Sequence, residues 1–406
     1  MLAPATMTHD GAGRRGVSVR LLAVLVVATA LGPLAMQIFL PALPTIQDLF
    51  AVDAATAQLA LSLSAGAIAV ATLFYGPLSD RVGRRPALLG GLVVYLAGSA
   101  LCGLADSMGA LILGRIVQAA GGCAGLVLTR AIVRDLYERD EAASMLAYVT
   151  MAMVTAPMVA PALGGLLADH AGWRSIFAFG GALGVVVLLV VALELPETAH
   201  TRNISARRAG LSFLWLLRSR AFLGYTFQGA FSMCVFFCFL GGAPYLMVKV
   251  LGRPASEYGL LFMTISAAFM AGNFAAARLS QRLGGDRMIV VGSLGNLAGA
   301  AALLVLVLTS DWSAWALFVP SAFGAFAQGL SMPNAQAAVV SVNPAAAGAA
   351  SGLAGFLQMG MAGAAAQAVG SIQDGTPYPM AIGMTLSAGA ALVAAVIATR
   401  GRPHPA

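Results

Sequence analysis

Residues 76–86 read Gly-Pro-Leu-Ser-Asp-Arg-Val-Gly-Arg-Arg-Pro, a short charged stretch between two long apolar segments. Its glycines permit a tight turn, because glycine lacks the Cβ atom that restricts the backbone. The sequence on each side stays apolar for about 20 residues, the length that a helix needs to cross a bilayer. This stretch therefore predicts two membrane-spanning helices joined by a basic loop.

The whole chain has the composition of an integral membrane protein. Its 406 residues are 59% hydrophobic and 10% charged, with a mean hydropathy of +0.86. Soluble proteins are typically about 45–50% apolar and about 25% charged. The composition excludes a soluble domain, a disordered chain, a nucleic-acid-binding domain and a disulfide scaffold. We interpret the four cysteines as small hydrophobic residues, because they lie in apolar stretches without a second pair at metal-ligand spacing.

Twelve apolar segments are long enough to span a membrane. They lie at 19–41, 57–78, 87–105, 109–131, 142–168, 174–194, 220–241, 258–277, 288–309, 314–335, 348–371 and 379–399. With the N-terminus inside, 19 of the 23 basic residues fall in inside segments and three fall outside. This asymmetry predicts a multi-pass protein of the bacterial inner membrane with both termini in the cytoplasm.

The two halves of the chain resemble each other. Residues 78–84, LSDRVGR, match residues 279–285, LSQRLGG, at an offset of 201 positions. Equivalent loops on the same side of the membrane predict two parallel six-helix halves with the transport path between them. We predict an N-terminal six-helix bundle over 1–195, a central cytoplasmic loop over 196–219 and a C-terminal six-helix bundle over 220–406.

The charged stretch is also a candidate conformational latch. Asp80 can pair with neighbouring arginines or lie near a helix N-terminus, whose positive end favours a carboxylate. Such a contact between bundles could hold one conformational state and break in the other. In the alternative interpretation, the arginines only anchor the loop to the inner leaflet. We favour the latch, with residues Gly76, Leu78, Asp80, Arg81, Gly83, Arg84 and Arg85.

The charged stretch resembles the signature loop of the major facilitator superfamily. Four other stretches resemble its Bcr/CflA branch of bicyclomycin- and chloramphenicol-resistance drug:proton antiporters. They are FLPALP at 39–44, RDLY at 134–137, GWRSIF at 172–177 and LPET at 195–198. The resemblance implies an all-α integral membrane protein with the major facilitator fold, whose twelve transmembrane helices form two pseudo-symmetric six-helix bundles. It also implies a non-enzymatic exporter of small amphipathic drugs, driven by the proton gradient through alternating access.

Arg115 is the basic residue that lies deep within a predicted span. An arginine at mid-membrane costs about 2.5–3.5 kcal/mol, so it should face a cavity or a partner. Gln118 follows three positions later and shares its helix face. The resemblance implies a coupling role for Arg115, with Gln118 beside it. The alternative is a buried arginine that only satisfies backbone carbonyls between helices.

Span 5 contains a stretch that resembles the antiporter motif of drug exporters. Its prolines, Pro157 and Pro161, should kink the helix, and Gly164 and Gly165 should let a neighbouring helix pack closely. Together they could seal or flex the transport path. Proline kinks and small-residue packing are also common in membrane helices that have no such role.

One position departs from the branch pattern. Span 1 of this branch often carries an acidic residue just before the aromatic-Leu-Pro run, and Gln37 occupies that position here. Glutamine cannot exchange a proton with its surroundings. The sixteen acidic residues map to loops, tails or span ends, with Asp48 and Asp135 as the nearest candidate carriers. Proton coupling is therefore expected from the resemblance alone.

The expected transport cavity is rich in amides, aromatic residues and methionines, which adapt to varied apolar ligands. Its candidate residues are Gln37, Phe39, Arg115, Met151, Gln228, Met233, Phe236, Phe237, Gln328 and Gln358. Apart from the amides, a role in lipid contact or helix packing explains these residues as well as a role in the cavity does. A site without carboxylates favours neutral or zwitterionic molecules over strongly cationic ones.

Other function classes fit the sequence less well. A primary pump needs a phosphate-binding lysine motif, and Lys249, the single lysine, lies in no such context. No cofactor, metal site or nucleic-acid partner is expected. The expected partners are a small-molecule substrate and the lipid bilayer, and the expected oligomeric state is a monomer. An exporter or importer of an endogenous metabolite or amino acid, without proton coupling, remains the open alternative.

Overall fold

The computed structural model describes residues 19–137, 139–198, 216–343 and 347–400, except for some side chains within 19–22 and 139–154. Its regular secondary structure within these ranges is helical, and it contains twelve long helices, here labelled α1–α12. They are α1 (Val19–Ile38), α2 (Ala54–Val82), α3 (Arg84–Gly103), α4 (Met108–Leu136), α5 (Arg139–Ala171), α6 (Arg174–Glu194), α7 (Arg220–Tyr245), α8 (Ala255–Leu283), α9 (Gly285–Thr309), α10 (Ala314–Ser341), α11 (Ala347–Ser371) and α12 (Tyr378–Arg400). A 3₁₀ turn (Leu40–Ala42) and a short helix (Leu43–Leu49) extend α1, and a π-helical turn (Leu246–Val250) extends α7.

The predicted all-helical membrane architecture is confirmed. Within the described ranges, nine helices are long and apolar enough to cross a membrane by length and composition. The other three are α5, α10 and α11, with 33, 28 and 25 residues. Several helices run past the predicted span ends, as α2 does by continuing to Val82 rather than stopping at residue 78. Hydropathy marks only the apolar part of a helix, whereas backbone hydrogen bonds continue into the polar turns.

Polar residues set the starts of several helices. Among the described helices, Asp53, Ser107, Ser219 and Ser313 each accept a hydrogen bond from the backbone N–H three residues later, at the starts of α2, α4, α7 and α10. These side chains satisfy N–H groups that have no partner within the first helical turn. The hydrogen bonds from Thr56 also lower the pKa of the Asp53 carboxyl.

The long helices pack in two groups of six. In the first group α4 packs against α3 and α1, and in the second group α7 packs against α12 and α9 against α10. The two groups meet where α2 lies along α11 and where α5 lies along α8. The proposed domain boundaries at residues 195 and 220 stay a prediction, because most of the predicted central loop lies outside the described residues.

Two matching turns show the internal repeat in the backbone. Gly83 joins α2 to α3 with a φ of 102°, and Gly284 joins α8 to α9 with a φ of 84°. Each glycine N–H donates to the carbonyl four residues earlier, at 3.1 Å for Ser79 and 3.0 Å for Ser280. Glycine populates positive φ readily, which explains why it occurs at both turns.

Close helix contacts in the first group depend on glycine. Gly125 of α4 lies against the carbonyl of Ala28 in α1, and Gly121 lies against the backbone of Tyr95 in α3. Neither position has room for a Cβ atom. Small residues at such interfaces let helix backbones approach and gain van der Waals contact in lipid, where the hydrophobic effect does not drive helix association.

We expect Gly125→Ala to lower the free energy of unfolding by about 1–3 kcal/mol, the usual effect of overpacking. Its new methyl group would overlap the Ala28 carbonyl. The control, Gly109→Ala in the same helix, meets open space and should be neutral or slightly stabilising, because alanine favours helix over glycine. Thermal unfolding of both variants in detergent tests this, and equal midpoints would contradict it.

Candidate functional site

A charged cluster surrounds the α2–α3 turn. Arg84 lies at its centre and donates through Nη1 to Asp80 Oδ1 at 2.6 Å and to Ser79 Oγ at 2.5 Å. Its Nε donates to Asp135 Oδ2 at 3.1 Å. Because Asp80, Arg84 and Asp135 belong to α2, α3 and α4, the cluster ties three helices together. We call this end of the molecule, which holds the α2–α3, α4–α5 and α8–α9 connections, the basic face.

Glu197 completes the cluster from the segment that follows α6. Its carboxylate accepts hydrogen bonds from the backbone N–H groups of Arg84 at 2.8 Å and Arg85 at 3.3 Å. The N-terminus of α3 thereby gains an anionic cap, which the helix dipole favours. A Cβ atom at Gly83 would overlap this carboxylate, so the glycine also makes room for the cap. No role was predicted for Glu197 from the sequence, because it lies 113 residues from Arg84.

The other residues of the predicted latch surround this cluster. Arg85 Nη2 donates to the Ala192 carbonyl of α6 at 2.6 Å. Leu78 and Arg81 are exposed, and Gly76 has open space beside it. The hydrogen bonds described for Asp80 and Arg84 reach only the first six helices and the segment that directly follows α6. A latch that joins the two groups of helices therefore stays a prediction for another conformational state.

Arg115 is buried between α4 and α1, with 1% of its surface exposed. Its Nη1 donates to the Ala35 carbonyl at 2.8 Å and to Gln118 Oε1 at 2.6 Å, so the predicted shared face is observed. Its guanidinium carbon lies 4.0 Å from the centre of the Phe39 ring, a cation–π distance. Nε and Nη2 have no hydrogen-bond partner in the described structure. The bond to the Ala35 carbonyl fits the alternative in which Arg115 only satisfies backbone carbonyls between helices. The N–H groups on Nε and Nη2, in contrast, can still donate to a further partner.

Gln118 extends this buried network to α3. Its Nε2 donates to Ser99 Oγ at 2.9 Å, and that hydroxyl donates to the Tyr95 carbonyl at 2.9 Å. Gln37 of α1 is also buried, and its Oε1 has no hydrogen-bond partner among the described residues. Among the described residues, the polar groups around Arg115 are thus amides, hydroxyls and backbone carbonyls, and no described carboxylate pairs with its guanidinium.

A second buried polar cluster lies within the second six helices. Gln228 of α7 donates to Ser232 Oγ and to Ser293 Oγ, both at 3.1 Å. Gln328 of α10 donates to the Ser232 carbonyl at 2.8 Å. Asn296 of α9 is 2% exposed, and its Nδ2 has no described partner. Asn296 was not among the predicted site residues, although an amide inside an apolar span was the available signal.

Several of the predicted cavity residues share one apolar core that spans both groups, since Phe39 and Phe237 belong to it and Met233 and Phe236 pack against it. Phe39 also contacts Arg115 in the first six helices, and Phe236 and Gln328 line a narrow cleft of about 20 Å³ in the second six. Phe237 packs edge-on against Phe236. Gln358 contacts Gly229 of α7. The side chain of Met151 lies outside the described residues.

The end of the molecule opposite the basic face is closed by bonds between the two groups, and we call it the sealed face. Gln367 of α11 accepts a hydrogen bond from Ser62 Oγ at 2.7 Å. Its Nε2 donates to the Ala55 carbonyl at 3.0 Å. One amide side chain of the second group therefore forms hydrogen bonds with two separate turns of α2 in the first group.

Two carboxylates also cross between the groups at the sealed face. Asp48, in the extension of α1, forms an ion pair with Lys249, in the extension of α7. Asp169 of α5 accepts a hydrogen bond from the backbone N–H of Ser256, in the first turn of α8, at 2.9 Å. Asp48 was predicted only as a candidate proton carrier and Asp169 was not predicted, because their partners lie far away in the chain.

The predicted antiporter motif lies beside these bonds. Pro157 and Pro161 lie inside α5, and the Pro161 carbonyl packs against α8. Gly164 lies against the backbone at the end of α1, and Gly165 lies against the first turn of α8. A Cβ atom at either glycine would overlap the neighbouring backbone. In this structure the motif therefore allows the close packing that closes the sealed face.

Comparisons with known proteins identify relatives of this chain. The sequence profile described as Major Facilitator Superfamily matches residues 25–366. The chain is 27% identical to the bicyclomycin resistance protein homolog of Haemophilus influenzae over 92% of this chain and 93% of that protein. It is 35% identical to the chloramphenicol resistance protein of Pseudomonas aeruginosa over 70% of this chain and 67% of that protein. A bacterial homologue of the human lysosomal transporter Spinster, solved inward-facing and unoccupied, matches with a TM-score of 0.76 at 17% identity, over 97% of this chain and 100% of that one.

We expect Glu197→Ala to lower the free energy of unfolding by about 1 kcal/mol, the usual effect of losing a helix cap. The control, Glu257→Ala, removes an acidic residue from the first turn of α8, where it lies 3.8 Å from Arg253 as a surface ion pair. Such pairs contribute little. Thermal unfolding in detergent compares the two variants, and a larger effect at Glu257 would argue against the cap.

Proposed function

The chain belongs to the major facilitator superfamily, and on that premise we propose that it exports small amphipathic drug molecules across the bacterial inner membrane. Membership makes the chain a membrane transporter rather than an enzyme. Two relatives are named for resistance to bicyclomycin and chloramphenicol, which supports a drug substrate. The observation that carries the proposal is the pair of buried amide and hydroxyl clusters, one in each six-helix group, beside aromatic side chains and with no carboxylate among their described contacts.

We propose that export proceeds by alternating access. In support, the hydrogen bonds and ion pair that cross between the groups in the described structure lie at the sealed face. Opening that face requires these bonds to break while the two groups rock against each other. The predicted latch residues around Asp80 would then hold the opposite state. The arginine-rich loops support a cytoplasmic basic face and cytoplasmic termini.

Proton antiport is the proposed source of energy. Gln37 cannot carry the proton, so a carboxylate that forms a breakable contact is needed. Asp135 pairs with Arg84, and its protonation would weaken the bond between α3 and α4. Arg115 and Gln118 would couple this change to substrate binding through the buried network that joins α1, α3 and α4.

A carrier of an amino acid or another small carboxylate metabolite is the second candidate. The unpartnered Nε and Nη2 of Arg115 favour it, because a carboxylate accepts two parallel hydrogen bonds from a guanidinium. Such a carrier would act on one substrate, whereas a drug exporter protects against several unrelated compounds.

We expect the chain to raise drug resistance of an efflux-deficient bacterial host, and Arg115→Ala and Asp80→Asn to abolish most of that resistance. The first variant removes the buried guanidinium, and the second removes a charge-assisted bond to Arg84. Minimum inhibitory concentrations for phenicols, bicyclomycin, quinolones and dyes measure the effect at matched membrane expression. Collapse of the proton gradient should remove the resistance as well.

Surface variants provide the controls for this assay. Asp106 is 97% exposed in its side chain and lies 3.8 Å from Arg174, so Asp106→Asn should keep full resistance. Arg253→Ala should also behave like the wild type, because its side chain is 57% exposed. A well-expressed wild type that protects against none of these compounds would refute drug export and favour the metabolite carrier.

We expect Gln367→Ala to raise the population that is open at the sealed face by up to about tenfold per lost hydrogen bond, since each contributes about 0.5–1.5 kcal/mol. The control is Gln373→Ala, whose Nε2 bonds only to the Thr376 carbonyl in the same loop. Spin labels on the first turns of α2 and α8 report the opening by pulsed electron resonance. Unchanged distance distributions in Gln367→Ala would contradict the expectation.

A further inference from the structure

The narrow cleft inside the second six helices is too small for a ring-sized molecule. Its usable volume is about 20 Å³. One water molecule needs roughly 10–15 Å³ on the same measure, so the cleft has room for about one. Residues of α7, α8, α9, α10 and α12 line it, and the polar ones are Asn296 of α9 with Ser321 and Gln328 of α10. Small clefts with polar walls hold water, whereas cavities that stay empty have apolar walls.

Asn296 supplies a buried hydrogen-bond donor to this cleft. The residue is 2% exposed, and its Nδ2 has no hydrogen-bond partner in the described structure. Buried polar groups in proteins are almost always hydrogen-bonded, either to protein or to ordered water. A buried donor without an acceptor is unfavourable, so an acceptor inside the cleft would stabilise the fold.

Ser321 and Gln328 supply the matching acceptors. The Ser321 hydroxyl donates to the Leu317 carbonyl at 2.7 Å, so its proton is used and its oxygen can still accept. Gln328 Nε2 donates to the Ser232 carbonyl at 2.8 Å, which leaves Oε1 as the acceptor of that amide. The cleft therefore presents one donor from α9 and two acceptors from α10, a set that a single water molecule can satisfy.

The internal repeat explains why a water molecule is needed in this half. Ser99 follows the turn glycine Gly83 by 16 residues, and Ala300 follows the matching glycine Gly284 by the same number. In the first half the Ser99 hydroxyl accepts a hydrogen bond from Gln118 of the neighbouring helix at 2.9 Å. Ala300 has no hydroxyl, and it lines the cleft. The second half thus has open volume and a buried donor where its other copy has a hydroxyl.

We propose that the cleft holds one ordered water molecule that joins α9 to α10. The water accepts a hydrogen bond from Asn296 Nδ2 and donates to Ser321 Oγ and Gln328 Oε1. About three hydrogen bonds are usual for a buried water molecule. It connects two helices of the second half as the Ser99 hydroxyl does in the first. The inference goes beyond the proposed function, because it holds whichever molecule the chain carries.

Solid-state NMR on the full chain in lipid bilayers tests for the water directly. Asparagine is labelled with nitrogen-15, and the Asn296 side-chain amide is identified as the signal that disappears in Asn296→Leu. If that variant does not fold, Asn296→Asp identifies the same signal. We expect magnetisation transfer from water protons to this amide in the wild type. Its absence there would overturn the proposal.

A variant that fills the cleft provides the comparison. Ala325 lines the cleft, so Ala325→Val places two further methyl groups there and should abolish the transfer to Asn296. The control is Ala337→Val in the same helix, at an exposed position away from the cleft, which should leave the transfer unchanged. Equal transfer in the two variants would place the contacting water outside the cleft and refute the assigned site.

A matched pair of substitutions at Ala300 tests the hydrogen bond itself. Ala300→Ser places a hydroxyl one turn from Asn296 on the same helix face, where it can accept the bond in place of the water. Ala300→Cys places a group of similar size that accepts only weakly. Unfolding titrations in detergent should give Ala300→Ser the wild-type equilibrium constant within about twofold. They should give Ala300→Cys an unfolding constant at least about fivefold higher, because the buried donor then lacks an acceptor.

The same pair at Ala302 is the control for these titrations. Ala302 lies on α9 at an exposed position and does not line the cleft, so its serine and cysteine variants should differ by less than about twofold. Equal unfolding constants for Ala300→Ser and Ala300→Cys would overturn the proposal, because a dry cleft accepts either group.

Discussion

Close backbone approach between helices is the constraint on which the other contacts depend. Lipid supplies neither water for buried polar groups nor a hydrophobic force between helices, so packing must satisfy polar groups internally. Gly98 of α3 lies directly against the backbone of Gln118 in α4, and one residue later Ser99 accepts the hydrogen bond of that amide. At the sealed face, Gly259 lies against the Pro161 carbonyl in the same way. Glycine thus brings the polar side chains within bonding distance.

The two halves share a backbone plan and differ in charge. Both turns use a glycine at positive φ, but Asp80 and Arg84 of the first turn correspond to Gln281 and Gly285 in the second. The buried position of Arg115 likewise corresponds to an alanine. At these matching positions the first half therefore holds charged side chains, and the second half holds neutral residues.

Hydropathy and local spacing predicted the twelve helices and the contact between Arg115 and Gln118, because both depend on neighbours within a few residues. The cap that Glu197 places on α3 and the bond from Ser62 to Gln367 link residues 113 and 305 positions apart, so local patterns could not predict them. Residue type likewise indicated a polar interior but not which polar groups meet within it.

The lack of a carboxylate among the described contacts of the buried polar clusters has an electrical consequence for the proposed transport cycle, because it favours an uncharged ligand. An uncharged ligand carries no charge outward, so exchange for one proton would move one net positive charge into the cell. The membrane potential would then drive export together with the pH gradient. It would add about 2.3 kcal/mol per 100 mV, equivalent to a concentration ratio of about fifty. A monovalent cationic ligand would cancel that contribution, so only an uncharged substrate would let the proposed antiport use the membrane potential in full.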